Sequence, residues 1–157
     1  MTKEQIKEYS LRISQANKTQ LVVISYDMSM LYLESAVKLY MDGKIPEYRN
    51  EVKHAKAIIN ELSSSLNMKY EIAGELFRIY MFISNFLLKA IIRDDVTDMD
   101  RIIAMIKQLR DSYDAISSTD NSGPVMENTQ QVYAGLTYSG ASLTESMYSG
   151  SNRGFSV

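Results

Sequence analysis

Glu51 and His54 stand three apart in the run Glu51-Val52-Lys53-His54. Its apolar spacing reads as helix, so both side chains lie on one helix face. Glu-x-x-His on a helix is half of the ligand set of a di-iron carboxylate bundle, and such a centre draws the same motif from two helices. His54 is the single histidine of the chain. The second half of the motif is therefore missing, and the plain account is a solvated imidazole beside Lys53 and Lys56. Asp94, Asp95, Asp98 and Asp100 resemble a calcium loop at a glance, but the turn glycine and the closing bidentate glutamate are absent. At a junction between helices such carboxylates cap the chain and complement the positive end of the next helix. Gly43 and Gly74 stand alone, so no glycine-rich phosphate loop is formed. The chain has no cysteine, which removes disulfides, thiolate zinc sites and thiol nucleophiles. Hydroxyl groups are plentiful, yet no motif sets a base beside one. The expectation is a protein without catalysis, cofactor or metal.

The chain has 157 residues, with 17 Lys plus Arg against 19 Asp plus Glu and a net charge of −2. That balance supplies no basic face for nucleic acid. Tyr26, Tyr32, Tyr40, Tyr80 and Tyr113 are not interleaved with a basic run, so packing explains them better than base stacking. The first eight residues are charged and contain no apolar stretch of signal-peptide length. The most apolar window, residues 79–92, is interrupted by Ser84, Asn85 and Lys89 and falls short of the ~20 residues of a spanning helix. These features predict a cytoplasmic protein with no membrane insertion.

Composition changes near residue 117. Residues 1–116 hold sixteen acidic and sixteen basic residues with only two glycines, whereas 117–157 hold five glycines, nine serines and four charges. The first part reads as a helical domain. The second reads as a low-complexity Ser/Gly/Tyr-rich tail, largely disordered, with one helix-competent stretch near 125–134. That stretch is a candidate for folding back onto the body when no partner is bound, against the simpler account of a plain disordered tail. Within the body, apolar residues recur at helical spacing: Leu21, Ile24, Met28 and Leu31; Val52, Ala55, Ile59 and Leu62; Leu76, Ile79, Ile83 and Phe86; Ile102, Ile103, Ile106 and Leu109. Asn17 with Gln20 and Thr97 with Asp100 read as capping boxes. Asp42-Gly43-Lys44 reads as a helix stop, and Pro46 as a first-turn proline. Four helices are expected, roughly 17–41, 46–66, 69–93 and 98–116. Their short links make neighbours antiparallel, giving an all-α antiparallel four-helix bundle after a short N-terminal segment.

Two of these helices carry more apolar surface than one buried stripe uses. Between Leu21 and Leu33 the only charge is Asp27, and Ile79-Tyr80-Met81-Phe82-Ile83 and Phe86-Leu87-Leu88 are apolar on every side. A helix apolar all round is either enclosed or covered by something else. Both readings stand here: the two helices are the most buried pair, or they line a groove for another chain. The ten methionines suit a groove, since their flexible thioethers repack around a ligand.

The run from Tyr9 through Ile13-Ser14-Gln15-Ala16-Asn17-Lys18-Thr19-Gln20-Leu21 to Ser25-Tyr26-Asp27 resembles the start of the flagellar export chaperones of the FliS family. There a Tyr, a β-branched residue and Thr-Ala-Ser-Pro precede an apolar run ending Leu-Tyr-Asp-Gly. Ala55-Lys56-Ala57-Ile58-Ile59-Asn60-Glu61-Leu62, Ser65-Leu66-Asn67-Met68, Glu71-Ile72-Ala73 and Leu76…Ile79-Tyr80-Met81-Phe82-Ile83 continue the likeness. Leu109-Arg110-Asp111-Ser112-Tyr113 closes it, with Tyr in place of the family's usual Trp. Order and spacing across residues 9–116 carry the resemblance rather than any single motif. Asn17 stands for the family's Ser, an equivalent cap, and Lys18 for its Pro. Met28 stands for its Gly, a change that favours helix by roughly 0.7 kcal/mol and makes contacts at that position the least transferable.

The resemblance implies a cytosolic helical bundle that binds the disordered C-terminal segment of flagellin in a hydrophobic groove, prevents premature polymerisation and aids export. It implies a non-catalytic protein whose further partners include components of the flagellar export gate or an anti-sigma factor. The partner-binding residues it suggests are Tyr9 and Ile13, then Leu21, Ile24 and Tyr26, then Leu76, Tyr80, Ile83 and Leu87. The competing classes are a helical-bundle enzyme, weakened by the ligand count, and an adaptor for an amphipathic helix of another flagellar or regulatory protein.

Overall fold

The computed structural model describes residues 1–126. These fall in two compact units, one comprising Thr19–Asn121 with Met1, the other Thr2–Lys18 with residues 122–126. The described residues form five helices and no strand: α1 (Lys3–Gln15), α2 (Lys18–Met41), α3 (Ile45–Ser64), α4 (Glu71–Arg93) and α5 (Met99–Ser117). The helical stretch expected near 125–134 lies outside the described residues except for Val125 and Met126, which are exposed and not helical.

In the larger unit, paired contacts give the directions of the helices. Tyr40 meets Tyr48 with ring centroids 5.3 Å apart, and Tyr32 meets His54 at 5.0 Å, so α2 and α3 run antiparallel. Tyr48 reaches the Ala90 carbonyl at 3.0 Å and Ser84 donates to Asn60 at 2.7 Å, so α3 and α4 run antiparallel. Thr19 donates to Asp120 at 2.6 Å and Arg110 to Asp27 at 2.9 Å, which sets α5 antiparallel to α2. The result is the up-down four-helix arrangement that the short links require. Its core is an unbroken cluster including Tyr26, Leu33, Tyr48, Val52, Ile59, Tyr80, Ile83, Leu87, Met99 and Ile106.

The helix limits follow local chemistry. α2 stops at Gly43, whose φ of +73° only glycine adopts without a steric cost. The Lys44 amide bonds back to the Leu39 carbonyl at 2.9 Å and the Gly43 amide to Tyr40 at 3.0 Å, closing the helix as a Schellman turn. Pro46 sits in the first turn of α3. α3 ends two residues earlier and α4 begins two later than their apolar spacing suggests, because Asn67 accepts the Lys69 amide at 3.1 Å and holds the link as a turn.

Two expectations are corrected. The N-terminal segment is a 13-residue helix, and Thr2 with Gln5 forms its capping box in both directions, at 3.2 and 2.8 Å. The Thr-x-x-Gln spacing was the signal for it. At α5 the expected box of Thr97 and Asp100 does not form. Asp98 is the N-cap, with φ +62° and no side-chain cap bond. The Thr97 amide instead donates to Asp95 at 2.8 Å. Asp94 also lies in the left-handed region, at φ +48°, so the chain reverses between α4 and α5 within five residues and enters α5 from Asp98 rather than from Thr97.

At the centre, the hydroxyls of Tyr26 on α2 and Tyr80 on α4 bond to each other, and both side chains are buried. The Tyr26 ring packs on Tyr113 of α5 with centroids 5.8 Å apart. Three helices thus meet at one aromatic cluster. Removing a buried partner strands the other hydroxyl at a cost of about 1–3 kcal/mol, whereas replacing both by apolar rings of the same shape costs much less. Tyr26→Phe and Tyr80→Phe should therefore each lower the unfolding free energy by about that amount. The double variant should lie above the sum of the two losses, as read by a double-mutant cycle in urea.

Candidate protein-binding surface

The two helices with surplus apolar residues resolve differently. Every residue of α2 from Leu21 to Leu33 is buried or half-buried, so this helix is apolar all round because it is enclosed. α4 has two faces. Ala73, Leu76, Tyr80, Ile83, Leu87 and Ala90 are buried. Phe77, Met81, Leu88 and Ile92 are exposed, by 41, 41, 43 and 71 %. At 100° per residue these four fall within about 60° of one another, with Gly74 and the exposed Asn85 on the same line. No charged residue lies on that line between Gly74 and Ile92. Apolar residues scattered singly on a surface need no explanation, but a continuous stripe marks a place where another chain fits.

Past Arg78 and Lys89, which flank the stripe, a groove opens between α4 and α5. Phe82, Phe86, Ile102 and Met105 line a cavity of about 220 Å³, with Asp98 and Arg101 at its rim. A second cavity of about 210 Å³ shares Phe86 and Asp98 with the first and is bounded by Lys89, Arg93 and Asp95. The groove floor is apolar and its edge carries both signs of charge, a pattern that suits an amphipathic segment laid along the helices.

The end of this groove is held in place from α3. Arg49 grips Asp94 with two parallel bonds, at 2.7 and 2.5 Å, and this partnership holds the Asp94 carboxyl below its usual range. Asp95 is likewise held low by its bond from Thr97. The buried Tyr48 hydroxyl is shared between the Ala90 and Asp95 carbonyls, both at 3.0 Å. The acidic cluster is thus occupied in ending one helix and turning into the next. Among the described residues no group of three or more His, Cys, Asp or Glu is placed to hold a metal ion. His54 is exposed and its ring packs against Tyr32. Glu51 of the same motif has one carboxylate oxygen buried without a hydrogen-bond partner. No helix among the described residues is long and apolar enough to cross a membrane.

Of the nine residues suggested from sequence, the structure places Ile24, Tyr26, Leu76, Tyr80, Ile83 and Leu87 in the interior, none more than 7 % exposed. Leu21, Tyr9 and Ile13 are half-buried, and Arg12 lies over the Tyr9 ring, 5.0 Å from its centroid. The residues that sequence reasoning passed over are those of the outer stripe, one position away from the inner ones. Apolar identity does not distinguish the two faces. The neighbouring charges Arg78 and Lys89, which lie beside the stripe, were the available hint.

Residues 2–120 match the family described as Flagellar protein FliS. The chain belongs to that family. A crystallised flagellar chaperone from bacteria shares the fold, with a TM-score of 0.62, 20 % identity, and coverage of 67 % of this chain and 87 % of that one. No curated protein matches the sequence. The family's usual Trp position, here Tyr113, packs on Tyr26 at the meeting point of α2, α4 and α5.

Burial raises the Tyr48 and Tyr80 phenols from 10.0 to about 12, and burial together with Tyr80 pushes Tyr26 up as well. In the unfolded chain these groups ionise near their ordinary value, so above pH ~10 the unfolded state binds fewer protons than the folded one. Stability from these phenols is complete below that pH and is lost as pH rises towards 12. Denaturant midpoints should fall across that window, and part of the tyrosinate absorbance should rise only together with the loss of helical signal.

Proposed function

We propose that this protein is a cytosolic flagellar export chaperone that holds the C-terminal segment of flagellin in a non-covalent complex, without catalysis. The reading is carried by one observation: the fourth helix of a FliS-family bundle presents an exposed, uncharged stripe of apolar residues interrupted by Asn85, with an apolar groove on the far side of Arg78 and Lys89. Flagellin's segment, disordered when free, would fold into amphipathic helices against Phe77, Met81, Leu88 and Ile92 and along Phe82 and Phe86. Tyr9 and Ile13 of the smaller unit and Leu21 of the larger, each half-buried, are the further contacts that the family likeness suggests. Ile24, Tyr26, Leu76, Tyr80, Ile83 and Leu87 would support that surface from beneath. Ordering such a segment costs about 2–5 kcal/mol, so the apolar footprint has to be long, and a stripe running most of the length of α4 supplies it. Covering flagellin's assembly residues in this way would keep it from polymerising before export.

The test is calorimetric titration of flagellin and of flagellin lacking its C-terminal segment against this protein. Saturable binding of the full-length form alone, with a negative heat-capacity change, is the expected result. Phe77→Ser and Met81→Ser should each weaken it by about tenfold while leaving unfolding free energy within about 0.5 kcal/mol, as for surface positions. Equal binding of both flagellin forms would sink the proposal.

A further inference from the structure

We infer that the segment held on α4 is an amphipathic helix with an acidic edge, its carboxylates placed to meet Arg78 and Lys89. This rests on the reading that a client segment binds there, and adds the chemistry that selects it. The basis is where α4 keeps its charges. The helix has five charged residues, Glu71, Glu75, Arg78, Lys89 and Arg93, and all of them are exposed. At 100° per residue they fall within about 60° of one another, on a single flank. Arg78 and Lys89 form the border of that flank. The apolar stripe of Phe77, Met81, Leu88 and Ile92 lies to one side of them, and the groove lined by Phe82 and Phe86 to the other.

A segment that covers the stripe and fills the groove together has to lie across both cations. Their aliphatic stems extend the apolar surface, but their heads lose water beneath the ligand. A cation stripped of water without a partner is costly, and a carboxylate bonded to it offsets that cost. Neither head forms an ion pair with a described residue, not even Arg78 with Glu75 one turn before it. On the opposite rim of the groove Asp98 is already paired with Arg101, at 3.7 Å. Arg93 has Asp95 beside it in the second cavity, which leaves Arg78 and Lys89 as the pair to be met. The carboxylates therefore have to come from the client.

Spacing makes the demand specific. Arg78 and Lys89 are eleven residues apart, about 16 Å along the axis and about 20° around it. Two carboxylates at that same spacing on a client helix lie along one edge, so a single amphipathic helix meets both cations while its apolar face stays down. A segment with lysine or arginine along that edge is repelled instead, which is discrimination by a mismatched charge. The apolar contacts hold the client. The two cations act on how fast it associates and on which segment is accepted.

The experiment is titration of full-length flagellin into the full chain at low and at high salt, with variants. The wild type should bind saturably and lose about fivefold in affinity as salt screens the contact. Arg78→Glu with Lys89→Glu should weaken binding by more than about tenfold at low salt and remove most of the salt dependence, with helical content unchanged. Arg78→Lys with Lys89→Arg keeps both charges and should stay within about threefold of wild type. Lys53→Glu with Lys107→Glu makes the same change of net charge at exposed positions outside the groove lining, and should weaken binding far less. Saturable binding that ignores the reversal of Arg78 and Lys89, strengthens with salt, or falls equally with the control pair overturns the inference and leaves the chaperone reading standing. A wild type that binds no flagellin overturns both.

Discussion

A helix in a bundle can hide one stripe, a little over ~100° wide, and α4 carries apolar residues well beyond that width. Its inner face is spent on the core with Leu76, Tyr80, Ile83 and Leu87. Phe77, Met81, Leu88 and Ile92 remain in water. The cost of leaving them there is the physical reason to expect a covering chain. α2, equally apolar, imposes no such requirement, because its residues from Leu21 to Leu33 are all at least half-buried.

The remainder of the larger unit makes that exposure tolerable. Tyr26, Tyr80 and Tyr113 join α2, α4 and α5 at one point, and the phenolic hydroxyls satisfy one another where an isolated polar group would be costly. At the far end of α4, Tyr48 and Arg49 reach across from α3 to hold the Asp94 and Asp95 turn. Both ends of the groove between α4 and α5 are thereby fixed. A rigid surface spares a ligand the ordering cost of the receptor, leaving only its own. The buried phenols also give the fold an alkaline limit, while the exposed ion pairs contribute little.

Most of the architecture was legible in the residues. Gly43, Pro46 and the apolar spacing placed four helices within a few residues of their observed limits. α1 was missed although Thr2 and Gln5 announce it, because the segment is short and mostly charged or polar, with few apolar residues, and a capping pair is easily passed over. The Thr97 cap failed for a different reason. Its competitor was a tight reversal built on two left-handed aspartates, and backbone φ at aspartate is decided by where the next helix has to go. The acidic cluster read as a helix junction and is one.

Sequence alone determined that this chain is an all-α bundle poor in catalytic chemistry and rich in apolar helix surface, because periodicity and residue type are local properties. It also carried the family likeness, through order and spacing. Only the tertiary structure decided which apolar residues face water. Leu76 and Phe77, or Tyr80 and Met81, are adjacent in the chain and similar in chemistry. A step of 100° about the helix axis sends one into the core and the other outward, and the direction of the core is set by α2, α3 and α5 together. That is why the helix was identified correctly from sequence, whereas only its folded setting shows Leu76, Tyr80, Ile83 and Leu87 on its inner face.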